Sequence, residues 1–161
     1  MLRTAPDLAA LLPDWLINLI LDLGRVGLGA EAVAVADALT GVDAALQSVL
    51  DGDVAVALAE AGRAEQARAR VASNLARWPD DVWIRLHAGD ALAVLGDLDG
   101  AVDHVTVAVA MADESGDVEA RSAALHRLRR IGPSNPVDAG SASSRRRQPR
   151  RQPRSRRRPK R

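Results

Sequence analysis

The chain has 161 residues, with no Cys, Phe or Tyr, and an apolar share of 47% supplied mainly by Ala, Val and Leu. That composition excludes a disulfide framework and a thiolate metal site, and it favours helices, because Ala and Leu are the strongest helix formers and strands draw on aromatic residues. The formal charge of +1 conceals a division: eleven of the 22 basic residues and none of the 21 acidic ones fall in 141–161, leaving a net of −10 over residues 1–140.

Residues 1–13 form an N-terminal lead-in broken by Pro6 and Pro13, with at most one helical turn over Asp7–Leu12. Asp14 is placed to cap a helix over Trp15–Leu23, which Gly24, Gly27 and Gly29 end. Ala30–Leu39 reads as a second helix, closed by Thr40-Gly41. A third begins at Val42 and reaches Leu50. There Asp51-Gly52-Asp53 either kinks it or ends it and caps the next, and helix resumes over Val54–Ala61 until Gly62. Ala64–Arg77 follows, ended by Trp78-Pro79. Asp80 or Asp81 caps Val82–Leu95, Gly96 stops it, and Asp99 opens Gly100–Ala112. Asp113–Gly116 reads as a turn, and Asp117 caps Val118–Ile131 before Gly132-Pro133. Helices of this length with short connections predict antiparallel neighbours. The helical domain therefore spans 14–132. A small polar linker (133–144) leads to an arginine-rich tail (145–161) without one apolar residue, which predicts disorder.

A repeat underlies the central part. Gly62 and Gly96 stand 34 residues apart, as do Ala67 and Ala101, and Val71 and Val105. Small residues at such spacing allow two helices to approach while larger ones fill the flanks. Gly89, Leu92, Ala101, Val105 and Ala108, preceded by Ala55, Leu58, Gly62, Ala67, Val71 and Pro79, resemble the tetratricopeptide repeat (TPR) family, in the form found in bacterial proteins of actinobacterial type. The match covers Val49–Met111. Leu92 and Val105 stand where the family has Tyr and Phe, and Asn74 stands where a small residue belongs. Trp15–Leu39 reads as a degenerate earlier pair and Val118–Ile131 as an amphipathic cap. The resemblance implies an all-α, short right-handed stack of antiparallel helix pairs, a TPR-like α-solenoid.

The resemblance also implies a role: a non-enzymatic protein–protein interaction scaffold. Its concave face would be lined by Asp53, Val56, Glu60, Trp83, His87, Asp90, Arg121 and Arg127, where Trp and Arg are favoured anchors for a peptide or helix of a partner. Catalytic and metal chemistry is not expected. Each carboxylate pair (Asp51 with Asp53, Asp80 with Asp81, Asp97 with Asp99, Asp113 with Glu114) falls at an expected helix start or turn, where Asp caps free amides. His87, with Asp90 three residues on, His104 and His126 read as surface histidines, and no zinc-binding spacing or cofactor motif is present. Gly24 to Gly29 follows no strand and reads as a loop.

The tail carries Arg145, Arg146, Arg147, Arg150, Arg151, Arg156, Arg157 and Arg158. Three readings stand for it. It grips nucleic acid through phosphates, which is the alternative function; it folds back on the acidic body; or it is a low-complexity end without a role. The N-terminal residues lack a secretory signal pattern and no run is long enough to span a bilayer, so a cytoplasmic protein without membrane association is expected.

Overall fold

The computed structural model describes residues 8–39 and 43–132, with side chains from Trp15 onward. Seven α-helices and no strand occur among them: α1 (Leu8–Arg25), α2 (Gly29–Ala38), α3 (Ala44–Glu60), α4 (Ala64–Arg77), α5 (Val82–Val94), α6 (Leu98–Ser115) and α7 (Val118–Ile131). Among the described residues no helix is long and apolar enough to cross a membrane. Thr40-Gly41, the linker and the arginine-rich tail lie outside the described residues.

Aspartate side chains start α3, α5, α6 and α7. Asp43 accepts from Leu46 N at 2.8 Å, Asp81 from Trp83 N at 2.8 Å and Ile84 N at 3.2 Å, Asp97 from Gly100 N at 3.1 Å, and Asp117 from Ala120 N at 2.9 Å. Each satisfies amides that the first helical turn leaves free. The stops recur as well. Gly62 and Gly96 adopt left-handed φ of 72° and 81°, which a residue without Cβ tolerates. The following amides bond back across the last turn, Arg63 N to Leu58 O and Asp97 N to Leu92 O, each at 2.9 Å. These are the same bonds, displaced by 34 residues.

Five boundaries differ from the sequence expectation. Helix α1 begins at Leu8 and runs through Pro13 and Gly24, so neither residue ends it. Gly24 is instead a crossing point: a Cβ there would stand 2.5 Å from Ala57 Cα, so its absence lets α1 lie directly on α3. Asp51-Gly52-Asp53 neither breaks nor caps a helix but sits inside the unbroken α3, and all three residues are buried. Asp97 rather than Asp99 caps α6, and Asp113 and Glu114 belong to the end of that helix instead of a turn, with Gly116 closing it.

Every helix touches the next in sequence, and α1 meets α3, α3 meets α5, and α5 meets α7; among the described residues α2 does not reach α4, nor α4 reach α6. The odd-numbered helices thus form a continuous layer. Among the described residues, thirteen of the 24 buried hydrophobic side chains are alanines, so the helices meet through small side chains close to the backbone. One core cluster joins α1 to α5 around Ile20, Leu50, Val54 and Leu58. A second joins α5, α6 and α7 around Leu86, Val105, Ala108 and Ala124. Gly89 makes the α5–α6 crossing, where an added Cβ would lie 2.5 Å from Val105 Cγ2.

Candidate functional site

A cavity of about 460 Å³ opens on the layer of odd-numbered helices. Its walls are Leu21 and Arg25 of α1, Asp53, Val56 and Glu60 of α3, His87, Asp90, Ala93 and Val94 of α5, and Arg127, Arg130 and Ile131 of α7. Asp53, Val56 and Glu60 share one face of α3 because steps of three and four residues return to the same side of a helix. The Gly24 crossing brings Leu21 and Arg25 against that face.

The three residues Asp51, Gly52 and Asp53 point to three different tasks. Asp51, only 2% exposed, looks toward α4. Its Oδ1 accepts from Arg70 at 2.8 Å and Gln47 at 3.3 Å, and its Oδ2 from Trp78 Nε1 at 3.0 Å and Arg77 at 3.2 Å. Asn74 Nδ2 donates to its main-chain carbonyl at 2.6 Å. This explains why a polar residue stands at the repeat position that otherwise takes a small one. The carboxylate is saturated, so Asp51 ties α3 to α4 and has nothing left for a ligand. Gly52 makes room for His87, whose ring would collide with a Cβ there. Asp53 faces the cavity.

Asp53 is in the opposite condition to Asp51. Its side chain is 6% exposed, Oδ1 lies 3.7 Å from His87 Nε2, and Oδ2 has no hydrogen-bond partner. Burial, reinforced by the Asp90 charge, pushes its pKa up to about 7. Burial likewise pushes His87 down to about 4, against the pull of Asp90. Removing a charge from water without a strong partner disfavours the ionised form. His87 is therefore a neutral, largely buried imidazole rather than a surface residue, and its Nδ1 is unpartnered. Glu60 Oε2 is unpartnered as well, while its Oε1 lies 3.9 Å from Arg25 Nε.

The cations of the cavity are better matched. Arg127 Nε donates to Asp90 Oδ2 at 2.8 Å, so Asp90 pairs with α7 instead of with His87. Arg25 donates to Asp22 at 2.9 Å within its own helix. The cavity thus holds neutral or weakly matched acceptors on α3 and paired Arg25 and Arg127 on α1 and α7, while Arg130 makes no hydrogen bond or ion pair among the described residues.

Of the side chains expected to line a concave face, Asp53, Val56, Glu60, His87, Asp90 and Arg127 come together here. Trp83 does not. It borders a separate cleft between α5 and α7 with Val118, Ser122 and His126, which Arg127 also reaches. Arg121 is exposed on α7 and paired with Asp113. Leu21, Arg25 and Arg130 belong to the cavity without having been singled out from the sequence. Their helices join it only through tertiary contacts, and the position of Arg25 at the last residue of α1, two before Gly27, is the one local signal. His104 is partly buried on α6 and its pKa is lowered, by burial first and then by Arg85. No group of three or more His, Asp or Glu side chains is placed to hold a metal ion among the described residues.

No family model, curated protein or solved structure matches this chain.

Proposed function

We propose that the chain is a non-enzymatic, TPR-like interaction scaffold whose cavity on the odd-numbered helices receives a segment of a protein partner. The observation that carries the reading is unspent hydrogen-bonding capacity inside a concave, walled surface: Asp53 Oδ2 and Glu60 Oε2 are buried and unpartnered in the wall of one cavity. Buried polar atoms are normally satisfied, and each one left alone costs free energy that an arriving donor or acceptor recovers. A short right-handed stack of antiparallel helix pairs, as in the tetratricopeptide family, accounts for the 34-residue displacement of the helix stops and for the contacts along the odd-numbered layer. In such a stack the first helix of each pair faces the groove, and further repeats extend it.

Site-specific photo-crosslinking tests this reading. Val94 borders the cavity and is 49% exposed, and Val107 is 42% exposed on α6. A crosslinker at position 94 is expected to capture a defined partner in cells, and one at 107 is not. Equal capture at both positions, or capture at 107 alone, refutes the groove.

A second reading rests on the charge of the tail. Eleven basic and no acidic residues in 141–161 suit sequence-independent contact with phosphates. Titration of the full chain with DNA and RNA over a range of salt is then expected to show affinity falling steeply with ionic strength, lost when the tail arginines become glutamine. Affinity that survives the exchange removes this reading.

A further inference from the structure

We propose that Asp53 and Glu60 form a guanidinium-binding site, and that its occupant is the chain's own arginine-rich segment 145–158. The contact goes beyond the scaffold reading and does not depend on it, because the groove can hold the segment whether or not a partner displaces it.

Three observations converge. The first is at the receiving end. The Asp53 side chain is more than nine-tenths buried, lines the cavity, and makes no hydrogen bond among the described residues, while Glu60, two turns along the same helix face, offers Oε2. The arginines already around the cavity leave Asp53 without a hydrogen bond: Arg127 is taken by Asp90, Arg25 bonds Asp22 and comes only to 3.9 Å from Glu60 Oε1, and Arg130 pairs with neither carboxylate among the described residues. A guanidinium brings five donors in a planar fork and keeps its charge when desolvated. Two turns separate the carboxylates by about 10 Å along the helix, so each takes a guanidinium of its own, and a run of neighbouring arginines suits such a pair better than compact ammonium groups do.

The second observation is where the chain goes. Arg130 and Ile131, among the last residues described, themselves line this cavity, so the following segment departs from its rim. From Ile131 to Arg145 the chain can reach about 45 Å when extended, several times the width of a 460 Å³ cavity. Tethering at such short range gives a high effective concentration, so a modest contact suffices. The third is charge. Residues 1–140 carry −10 and residues 141–161 carry +11.

Occupation is linked to the ionisation of Asp53. That carboxyl is faced by His87 and Asp90 of α5, Arg25 of α1, Arg127 and Arg130 of α7, and Glu60 of its own helix. With its pKa near 7, it is about half protonated at neutral pH, and an arriving cation stabilises the carboxylate. Raising the pH through about 7 therefore strengthens the contact.

The test uses the full-length chain. It contains no cysteine, so Ser155→Cys provides a single attachment point for a nitroxide spin label. At low ionic strength the label is expected to enhance relaxation of the backbone amides of Glu60 and Val94 and to spare that of Val107. Asp53→Asn with Glu60→Gln should lower the docked fraction about tenfold, the scale of a lost charge-assisted hydrogen bond. Asp99→Asn with Asp103→Asn, the same charge change on exposed positions of α6, should leave it unaltered. Exchange of Arg145, Arg146, Arg147, Arg150 and Arg151 for Gln, outside the helical body, should abolish the enhancement even if the groove variant is unstable. An absent enhancement in the unaltered chain overturns the proposal. So does an equal loss in the groove and α6 variants, which would mean diffuse attraction. A free arginine-rich peptide that binds at Asp53 while the tethered label stays silent would keep the scaffold reading and remove the intramolecular one.

Discussion

Replacing Gly52 by Ala in the middle of a helix should ordinarily stabilise the protein, by about 0.5–1 kcal/mol from reduced backbone entropy. In α3 the sign is expected to reverse. An added Cβ collides with His87 Nδ1 and would stand 2.7 Å from its Cγ and 3.0 Å from its Cβ. The contact reaches the root of the side chain, so a tilt of the ring is insufficient, and either the rotamer or the α3–α5 spacing must change. Overpacking of this kind costs about 1–3 kcal/mol. After the helical gain, Gly52→Ala should destabilise the chain by roughly 1–2 kcal/mol. In a His87→Ala background only the approach to the residue-87 Cβ remains, so most of the penalty should vanish. Urea unfolding followed by far-ultraviolet circular dichroism on the four members of the double-mutant cycle measures the coupling. Higher stability for the single Gly52→Ala variant, or an equal cost in both backgrounds, refutes the assignment of Gly52 as the space for His87.

Asp51→Ala should cost about 3–5 kcal/mol in the same assay, because it strands the partly buried Arg70 and the Trp78 indole N–H. A loss below about 1 kcal/mol, the scale of an exposed ion pair, would remove the role given to that carboxylate. Asp53 and His87 should show opposite pH dependences of stability. In a His87→Ala chain the folded state holds a proton on Asp53 that the unfolded state releases above 3.8, so stability falls as pH rises from there through about 7. In an Asp53→Asn chain the unfolded state carries a proton on His87 that the folded state refuses, so stability falls as pH drops from 6.5 toward about 4. The unaltered protein, with both, should have a flatter profile between about 4 and 6.5 than either variant, and chemical denaturation across that range decides it. Gly89→Ala should destabilise by about 1–3 kcal/mol through its clash with Val105 Cγ2, and Val105→Ala should relieve most of it. Independent, additive effects would show that α5 and α6 do not cross there.

Local chemistry made much of the chain legible. Asp81 and Asp117 begin helices, and Gly62 and Gly96 end them, for reasons contained in a few neighbouring residues: a short acceptor reaches free amides, and a residue without Cβ accepts left-handed φ. The same local rules misplaced Gly24 and the Asp51-Gly52-Asp53 step. Read alone, glycine and aspartate within a helix are breakers. Both glycines are there because another helix passes too close for a Cβ, and Asp51 is there because α4 supplies donors to it.

The candidate site divides along the same line. Asp53, Glu60, His87, Asp90 and Arg127 share one cavity, whereas Trp83 turns to a different cleft and Arg121 pairs with Asp113. Helical periodicity tells which residues share a face, but not which neighbouring helix that face meets. By itself, then, the order of residues determined that this chain makes helices, where most of them stop, and how its charge is divided between body and tail. Only the tertiary structure decided that Asp51 is satisfied while Asp53, two residues away, is not. The physical reason is that burial and hydrogen bonding are supplied by other helices, whose donors reach one side of α3 and leave the other open.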